Sequence, residues 1–408
     1  MRCRHCGAFI QHGLVDLGFA PPSNSYLSER DLERPEKHFP LRVLVCDQCW
    51  LVQTQDFVDA EDLFNPEYAY FSSTSRVWLD HAARFVNSII PKLNLTKDSF
   101  VLEVASNDGY LLKNFVELEI PCLGIEPTNS TASVAEENGI TVVREFFGEK
   151  LGKQLAATGR VADLIVANNV YAHVPNINDF TLGLKVALKA GGTITLEFPH
   201  LLRLIEEIQF DTVYHEHFSY LSLYSVSRIF EAAGLRVLDV EELPTHGGSL
   251  RVFGCHLEDV RESSPTVEFL IAREANEGLR DIATYQAFQV KVNRIKDELL
   301  SFLLEQKRLG KRVAGFGAAA KGSTLLNFAG LRSDLLSFIS DTANSKQGKY
   351  MPGSHIPILS PAAVKDQRPD FLLVLPWNIK DEIISANSNI RQWGGQFVTA
   401  IPRLQIYQ

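Results

Sequence analysis

The sequence predicts an α/β protein with a doubly wound, mainly parallel β-sheet at its centre. Two observations support this prediction. Between residues 76 and 260, short apolar runs rich in valine, isoleucine and leucine alternate with amphipathic segments, as strands and helices do when they follow each other in turn. Near residue 311, after a long charged helical stretch, a second strand–turn–helix unit begins. We therefore expect a central α/β domain followed by a smaller domain of related design.

The composition fits an ordinary globular protein and excludes several other classes. The chain has 408 residues, enough for two or three domains, with 45% hydrophobic and 22% charged residues. These fractions exclude a mainly disordered, collagen-like or coiled-coil structure. The net charge of −9 gives the whole chain no attraction for nucleic acid or anionic membranes. The N-terminus lacks a secretory signal and no run reaches about 18 apolar residues, so we expect a cytoplasmic protein.

Four of the six cysteines form two pairs with CxxC spacing, Cys3 with Cys6 and Cys46 with Cys49. Two such turns facing each other make a tetrahedral four-thiolate site for zinc, and the lack of an open position predicts a structural ion. Four ordinary thiols or a redox pair remain the alternatives. The spacer of 39 residues is longer than the roughly 15–20 of common zinc ribbons, which predicts an insertion. We expect Cys122 and Cys255 to lie in the core.

The central domain should begin with a helix over residues 76–93 and continue with parallel strands. We predict these strands at 100–105, 123–127, 140–144, 162–169 and 191–199, with antiparallel edge strands at 235–240 and 249–256. Ligands of such sheets bind at the carboxyl ends of the parallel strands, near the point where the strand order reverses. The residues at these strand ends are therefore candidates for a binding site.

The ends of the first two predicted strands favour a nucleoside ligand. Glu103 lies near the end of the first strand, and Glu126 ends the second about twenty residues later, where a carboxylate accepts both ribose hydroxyls. The turn over residues 106–109 lacks both the GxGxxG fingerprint and the Walker lysine. A ligand without phosphate fits such a turn, and S-adenosylmethionine is the leading candidate. A dinucleotide site with an eroded fingerprint and a sheet without a ligand remain open.

Four segments together resemble the nucleotide-sugar C-methyltransferases. They are the two CxxC pairs, the run LEVASNDGYLL at 102–112, the run YHEHFSYLS at 214–222 and the turn GAAAKG at 317–322. Members of this family methylate a ring carbon next to the ketone of a 4-keto-deoxysugar, and the C-3′-methyltransferases of antibiotic sugar pathways are the best known. The resemblance covers essentially the whole chain in order.

The resemblance implies a class I S-adenosylmethionine-dependent methyltransferase core with a module on either side. We expect a zinc-binding module over residues 1–70, the methyltransferase core over 71–260 and a C-terminal Rossmann-like domain over 261–408. Glu126 should hold the ribose, and the loop 105–109 should lie against the methionine part. The expected cofactor-binding residues are Glu103, Ala105, Ser106, Asn107, Gly109, Glu126, Asn168 and Asn169.

The resemblance also implies an active site. The matching positions are Tyr68, His173, Tyr214, Glu216 and His217. Methylation next to a ketone needs a base for the α-proton, stabilisation of the enolate and a methyl group held in line. A histidine with the ordinary pKa of about 6.5 is largely neutral at cytoplasmic pH, and His217 is the expected base. Glu216, Tyr214 and His173 should orient it or donate to the oxyanion, while Tyr68 should close over the sugar.

The spacing of residues 214–217 alone leaves other interpretations open. The segment also fits a polar surface strand without a catalytic role. In a strand, His215 and His217 share one face, which suits a metal site. His173 by itself is typical of a hydrogen-bonded histidine at a strand end, so only the resemblance gives it an active-site role.

The last third of the chain should bind the nucleotide of the substrate. Residues 262–310 predict one or two bridging helices, and 336–341, 371–375 and 397–401 predict strands. The small residues Gly317, Ala318 and Ala319 let backbone amides approach a diphosphate, whose charge Lys321 would neutralise. Asp341, Asn344, Lys346 and Gly348 are further candidates for the nucleotide site. A tight turn packing on itself and an NAD-dependent reductase domain are the alternatives.

The sequence thus predicts an enzyme that methylates the carbon next to the ketone of a nucleotide-linked 4-keto-deoxysugar, through an enolate. The substrate partner would carry dTDP or GDP, with no nucleic-acid or membrane partner, and a monomer is compatible with the sequence. A sugar O-methyltransferase, or another S-adenosylmethionine-dependent enzyme for a small molecule, is the alternative. A zinc-ribbon nucleic-acid protein is disfavoured by the charge of −9 and the absence of a basic run.

Overall fold

The structure, a computed structural model, describes residues 1–55, 71–74 and 76–408. Within these ranges the strands form three sheets, one for each successive part of the chain. No helix in this portion combines the length and apolar character that a membrane crossing needs. Tyr68, one of the expected active-site residues, lies outside the described residues.

The front of the chain forms an antiparallel sheet, which the cysteine spacing alone did not predict. Its strands are β1 (His12–Ala20), β2 (Phe39–Val45) and β3 (Val52–Thr54). A short strand of the central domain, Ser219–Tyr220, pairs with β3 and extends this sheet. The segment between β1 and β2, with a 3-10 helix at Glu29–Glu33, is the insertion that the long cysteine spacer predicts.

The central domain is the predicted doubly wound sheet. Its strands in chain order are β4 (Val101–Val104), β5 (Cys122–Ile125), β6 (Val142–Val143), β7 (Ala162–Asn168), β8 (Leu188–Pro199), β10 (Leu235–Leu243) and β11 (Ser249–His256), where β9 is the Ser219–Tyr220 strand above. They lie in the order β6-β5-β4-β7-β8-β11-β10. The strands β4 to β8 are parallel, and β10 and β11 are antiparallel, as predicted. The order reverses between β4 and β7, which is where ligands of such sheets bind.

Helices cover both faces of the central sheet. They are α1 (Arg76–Leu93), α2 (Lys113–Glu117), α3 (Asn129–Glu137), α4 (Glu149–Ala157), α5 (Ile177–Ala187), α6 (Leu201–Glu206) and α7 (Leu223–Ala232). The predicted helix over 76–93 is confirmed with the same bounds, and it buries Phe85 and Ile89 against one face. Residues of α4, α5 and α7 pack into a second apolar cluster on the other face.

The C-terminal part contains helices and a smaller, mainly parallel sheet. The helices are α8 (Pro265–Asn276), α9 (Ile282–Gln286), α10 (Phe288–Arg308), α11 (Ala320–Ala329), α12 (Ala362–Gln367) and α13 (Lys380–Ala386). The strands are β12 (Val313–Phe316), β13 (Ile339–Ser340), β14 (Ile358–Leu359), β15 (Phe371–Val374), β16 (Gln396–Thr399) and β17 (Gln405–Tyr407), in the order β14-β13-β12-β15-β16-β17. The bridging segment therefore holds three helices, one more than expected, because α9 breaks the helical stretch.

The insertion of the front module also contacts the C-terminal part. Leu27 and Tyr350 exchange two backbone hydrogen bonds, 3.0 and 2.8 Å long. The carboxylate of Glu36 accepts hydrogen bonds from the backbone amide of Gly353 and the ring of His355, both at 2.9 Å. The front module thus touches both later parts of the chain, which brings its residues to the cleft between them.

Candidate active site

The carboxyl ends of β4 and β7 form a polar edge with unusual backbone conformations. Ala105, Asn107 and Asn169 all have positive φ, at 58°, 49° and 53°. Non-glycine residues in this region are strained and concentrate at functional sites. Gly109 has φ 77°, and a Cβ there would come within 2.2 Å of Ile140, so the loop requires glycine. The sharp loop after β4 is therefore held in shape by local packing.

Glu126 closes this edge at the end of β5. Its side chain is only 5% exposed. One carboxylate oxygen accepts the backbone amide of Asn107 at 3.0 Å, and the other accepts that of Thr128 at 2.9 Å. Each oxygen keeps a second lone pair, so the carboxylate is fixed in place and still able to accept hydroxyl hydrogen bonds.

Several buried polar atoms at the same edge have no hydrogen-bond partner among the described residues. They are Glu103 Oε2, Ser106 Oγ, Asp108 Oδ1, Asn168 Oδ1 and both amide atoms of Asn169. Such a concentration is rare in folded proteins and indicates a polar ligand. Burial raises the pKa of Glu103 well above its usual range, and the neighbouring carboxylates of Asp108 and Glu126 raise it further. All eight expected cofactor residues therefore lie along one edge, and their chemistry suits a nucleoside with a polar tail.

Tyr214 and His217 of the YHEHF run form a compact cluster with His173. The ring centroids of His217 and His173 are 4.6 Å apart, and those of His217 and Tyr214 are 4.1 Å apart. His217 Nδ1 lies 3.0 Å from the carbonyl of Thr212, and His173 Nδ1 lies 2.7 Å from the carbonyl of Glu216. Because a carbonyl only accepts, both Nδ1 atoms carry the proton and both Nε2 atoms carry the lone pair.

Burial makes both histidines weak bases that stay neutral. It lowers the pKa of His217 well below the usual range, and the positive charge of Lys321 acts in the same direction. Burial likewise lowers the pKa of His173 to about 4, against a small opposing effect of its bond to Glu216. His217 is thus a neutral imidazole with its lone pair directed away from Thr212.

The carboxylate of Glu216 is held by residues of the front module. It accepts hydrogen bonds from Ser23 at 3.2 Å and Asn24 at 3.1 Å, both in the insertion of the front module. His215 also points to the front module, where it lies 3.3 Å from the carbonyl of Pro40. Residues 214–217 form a buried turn, so neither a surface strand nor a metal site shared by His215 and His217 is found.

The C-terminal turn after β12 divides the expected nucleotide residues into two groups. Ala318 donates its amide to Asp341 at 2.7 Å and accepts Lys346 at 2.8 Å through its carbonyl, so these side chains hold the turn. Lys321 instead reaches toward the cleft: it bonds Asn378 at 2.7 Å and lies 4.8 Å from the Trp377 ring centre. Gly317 opens the turn, Ala319 precedes α11, and Asn344 and Gly348 are exposed.

The four cysteines of the front module come together as predicted. Their Sγ atoms all lie within 4.8 Å of one another, with Cys3 to Cys49 and Cys6 to Cys46 both at 3.5 Å. A zinc ion bound at about 2.3 Å by four thiolates places the sulfurs about 3.8 Å apart, so this geometry accepts such an ion. In the described ranges, no other group of histidine, cysteine or acidic residues offers a comparable set of ligands.

Three family models match successive parts of the chain. Residues 3–64 match a zinc binding domain, 77–240 a methyltransferase domain and 244–402 a C-methyltransferase C-terminal domain. The C-methyltransferase NovU from Streptomyces niveus is 34% identical over 404 residues, which cover 99% of this chain and 96% of NovU. The chain belongs to the C-methyltransferase family. The methyltransferase match and the strand order together confirm the predicted class I S-adenosylmethionine-dependent fold.

Solved structures share a lower level of similarity with this C-methyltransferase. The PH0226 protein from Pyrococcus horikoshii is 11% identical, with 49% of this chain and 100% of that chain covered, at a TM-score of 0.39. Magnesium protoporphyrin IX methyltransferase from Synechocystis, solved with bound SAH, is 13% identical, with 43% and 82% covered, at a TM-score of 0.35.

The structure of this C-methyltransferase adds cleft residues that the sequence analysis missed. Ser23 and Asn24 reach Glu216 from the insertion, and Tyr26 donates its hydroxyl to the Ala318 carbonyl at 2.6 Å. His246 lies in a strained turn beside the same cleft. Two features of the sequence could have indicated these residues: the polar run 23–25 after two prolines, and the two glycines after His246. Cys255 is buried as expected, whereas Cys122 is only half-buried.

Proposed function

We propose that this enzyme transfers a methyl group from S-adenosylmethionine to C3, the carbon next to the ketone, of a nucleotide-linked 4-keto-deoxysugar. The observation that carries the proposal is that the protein combines two features. One is His217, a neutral buried base, and the other is a set of buried polar atoms without hydrogen-bond partners at the ends of β4 and β7. Carbon methylation next to a ketone needs a base of this kind. Membership of the C-methyltransferase family supports transfer to carbon.

His217 acts as the base through Nε2. Its Nδ1–H is held by the Thr212 carbonyl at 3.0 Å, which fixes the tautomer and directs the Nε2 lone pair into the cleft. Nε2 removes the α-proton, the C–H electron pair forms the carbon–carbon double bond, and the carbonyl π-pair moves to oxygen as the enolate. The enolate carbon then forms the new bond to the methyl group as the ketone returns. When bound, the cofactor would supply this methyl group, and the electron pair of the broken C–S bond would stay on its sulfur.

The residues around His217 hold it for this task. The Tyr214 ring lies over the imidazole at an interplanar angle of 33°, and His173 meets it edge-on at 61°. These contacts restrict the ring, which keeps the base within reach of a bound substrate. Glu216 acts as a link to the front module, where Ser23 and Asn24 are fixed at the cleft.

The edge at β4, β5 and β7 would hold the cofactor. Glu126 would accept the ribose hydroxyls, the loop 105–109 would lie against the methionine part, and Glu103, Asn168 and Asn169 would satisfy polar groups there. Glu126→Gln should weaken S-adenosylmethionine binding by about 10- to 100-fold, because the new NH2 group can accept a hydrogen bond neither from a backbone N–H nor from a ribose hydroxyl. Calorimetric titration of the purified enzyme measures the change.

The control for Glu126→Gln is Glu137→Gln, which makes the same chemical change on an exposed position of α3. It should bind the cofactor as the wild type does. Wild-type affinity in Glu126→Gln would exclude the ribose role.

The remaining groups complete the proposal. A zinc ion held by Cys3, Cys6, Cys46 and Cys49 would stabilise the front module. The start of α11 has no side-chain cap, so its amides and Lys321 would bind the substrate diphosphate, with Asp341 and Lys346 shaping the turn. Asn344 and Gly348 would line the exposed nucleotide end. We place the enzyme in the cytoplasm, acting on a dTDP- or GDP-sugar without a nucleic-acid or membrane partner.

The test uses purified enzyme, methyl-labelled S-adenosylmethionine and a panel of dTDP- and GDP-linked 4-keto-deoxysugars. We expect label on the α-carbon of at least one sugar, located by NMR. We also expect cofactor-independent exchange of the α-proton with D2O. Absence of transfer across the panel would overturn the proposal, and label on a hydroxyl oxygen without α-exchange would indicate an O-methyltransferase instead.

A further inference from the structure

The turn between β10 and β11 brings a histidine to the cofactor edge. Strand β11 runs antiparallel to β8, and Ser249 at its start pairs with Pro199 at the end of β8. Glu197 of β8 in turn pairs with Asn168, the last residue of β7. The 3-10 turn Thr245–Gly247, immediately before β11, therefore lies at the carboxyl edge of the parallel strands.

Three successive residues of this turn have positive φ. His246 has φ 57°, and Gly247 and Gly248 have φ 91° and 113°. A Cβ at Gly247 would come within 2.5 Å of Trp377, and one at Gly248 within 2.6 Å of Arg203. Both glycines are therefore required by close packing. A histidine in the left-handed region persists only where its surroundings hold it there, and such residues concentrate at ligand sites.

An aromatic and ionic wall fixes the His246 ring. The ring meets Trp78 edge-on with centroids 5.3 Å apart, and Trp78 stacks on His81 at 4.9 Å. His81 Nε2 lies 3.0 and 2.9 Å from the two carboxylate oxygens of Glu197, and Arg251 bonds the same carboxylate at 2.9 Å. Glu197 is fully buried, and its bonds to His81 and Arg251 anchor this wall near the end of β8.

The half-buried side chain of His246 leaves one ring nitrogen unpaired within the described residues. Its Nδ1 is shielded from solvent and has no hydrogen-bond partner. Burial and the charge of Lys321 lower the pKa of His246 to about 4, so the ring is neutral at pH 7. Gly247, the next residue, accepts a hydrogen bond from Gln209 at 2.7 Å, and Thr212, three residues after Gln209, holds His217. The turn therefore packs against the segment that carries the base, and a neutral His246 ring offers one donor and one acceptor there.

We propose that His246 donates a hydrogen bond to the carbonyl oxygen of the substrate and keeps it as that oxygen becomes the enolate. The proposal rests on the proposed function, because it places the reacting ketone between His246 and His217. A donor fixed before the reaction and shielded from water stabilises developing negative charge more than water does. A neutral imidazole can do this without competing for the α-proton, as a neutral histidine does in triosephosphate isomerase.

The test compares two variants that both tolerate positive φ, His246→Gly and His246→Asn. Glycine keeps the turn and removes the ring, whereas asparagine keeps the turn and retains an N–H donor. We measure α-proton exchange in D2O without cofactor, single-turnover methyl transfer, and the dissociation constant of S-adenosylmethionine. His246→Gly should lower exchange and transfer by about 10²–10³-fold, with cofactor affinity within about twofold of wild type. In both assays, His246→Asn should be at least about tenfold faster than His246→Gly.

Three results would overturn the proposal. One is an α-proton exchange rate in His246→Gly within about threefold of wild type, because removing an oxyanion donor has a much larger effect. A second is an equal loss in both variants, which would mean that the ring shapes the cleft without donating. A third is weakened cofactor binding with unchanged exchange. If the wild type itself neither exchanges nor methylates any sugar, the proposed function fails and this inference fails with it.

Discussion

Replacing His217 with asparagine should lower turnover by about 10²–10⁴-fold while leaving cofactor binding unchanged. The amide of asparagine can still donate to the Thr212 carbonyl, which now holds Nδ1–H at 3.0 Å. It offers no basic nitrogen, so the α-proton has no acceptor. Both α-proton exchange and methyl transfer should fall together, because both begin with the same proton transfer. Rates are measured with saturating nucleotide sugar, and cofactor affinity by titration.

The matched control is His215→Asn, the same substitution two residues earlier. His215 is also buried, but it packs against Phe39 with ring centroids 6.0 Å apart and faces away from the histidine cluster. This variant should keep turnover within about threefold of wild type, with a modest loss of stability. Full activity in His217→Asn would show that another group is the base.

The pH profile gives a further check on the base. Only neutral His217 accepts the α-proton, and its pKa lies well below the ordinary 6.5. The acid limb of kcat/KM should therefore have its midpoint below pH 6.5, and the rate should stay level between this value and about pH 8. A midpoint above 6.5 would contradict a base whose pKa is lowered by burial and by the charge of Lys321.

Replacing Cys46 with serine should remove the metal and destabilise the front module. Cys46 is fully buried and packs, with Cys3 and Cys49, into the apolar cluster under the central sheet. Structural zinc sites contribute folding free energy directly, so we expect loss of bound zinc and a thermal midpoint about 10 °C lower. Zinc content is measured by atomic emission and unfolding by calorimetry.

The same variant should affect the substrate more than the cofactor. Ser23, Asn24 and Tyr26, which contact Glu216 and Ala318, belong to the same module as the four cysteines. Assayed below its midpoint, Cys46→Ser should show a KM for the nucleotide sugar raised by about tenfold or more, with cofactor affinity nearly unchanged. Cys122→Ser, at a half-buried position outside the cluster, is the control. Stoichiometric zinc and wild-type stability in Cys46→Ser would exclude the structural role.

The middle of the central sheet was predictable because strands such as β4, β7 and β11 are buried on both faces. Such strands appear in the sequence as short apolar runs, and those at 162–169 and 249–256 match β7 and β11 closely. The N-terminal sheet was not predictable in the same way. Its last pairing joins Val52 to Tyr220 across more than 160 residues, and no local pattern signals a contact of that length.

The residues of the candidate site likewise fall into predictable and unpredictable groups. Glu103 and Glu126 were predictable, since strand ends at a switch point are the expected place for a ligand. The orientation of Glu216 was not. Alternation would place His215 and His217 on one face, but the amide of His217 bonds the carbonyl of Tyr214 at 3.0 Å and closes a turn. That turn sends the side chains to different neighbours, and their partners come from distant segments.

The bond between Leu27 and Tyr350 has a consequence for building hybrid enzymes from related methyltransferases. The insertion of the front module pairs with the C-terminal part there and again where Glu36 meets Gly353 and His355. In a hybrid that exchanges the C-terminal part alone, this insertion would pack against residues of a different protein. Residues 21–36 and 341–355 therefore contact each other directly, and a hybrid that exchanges both segments together should keep these contacts intact.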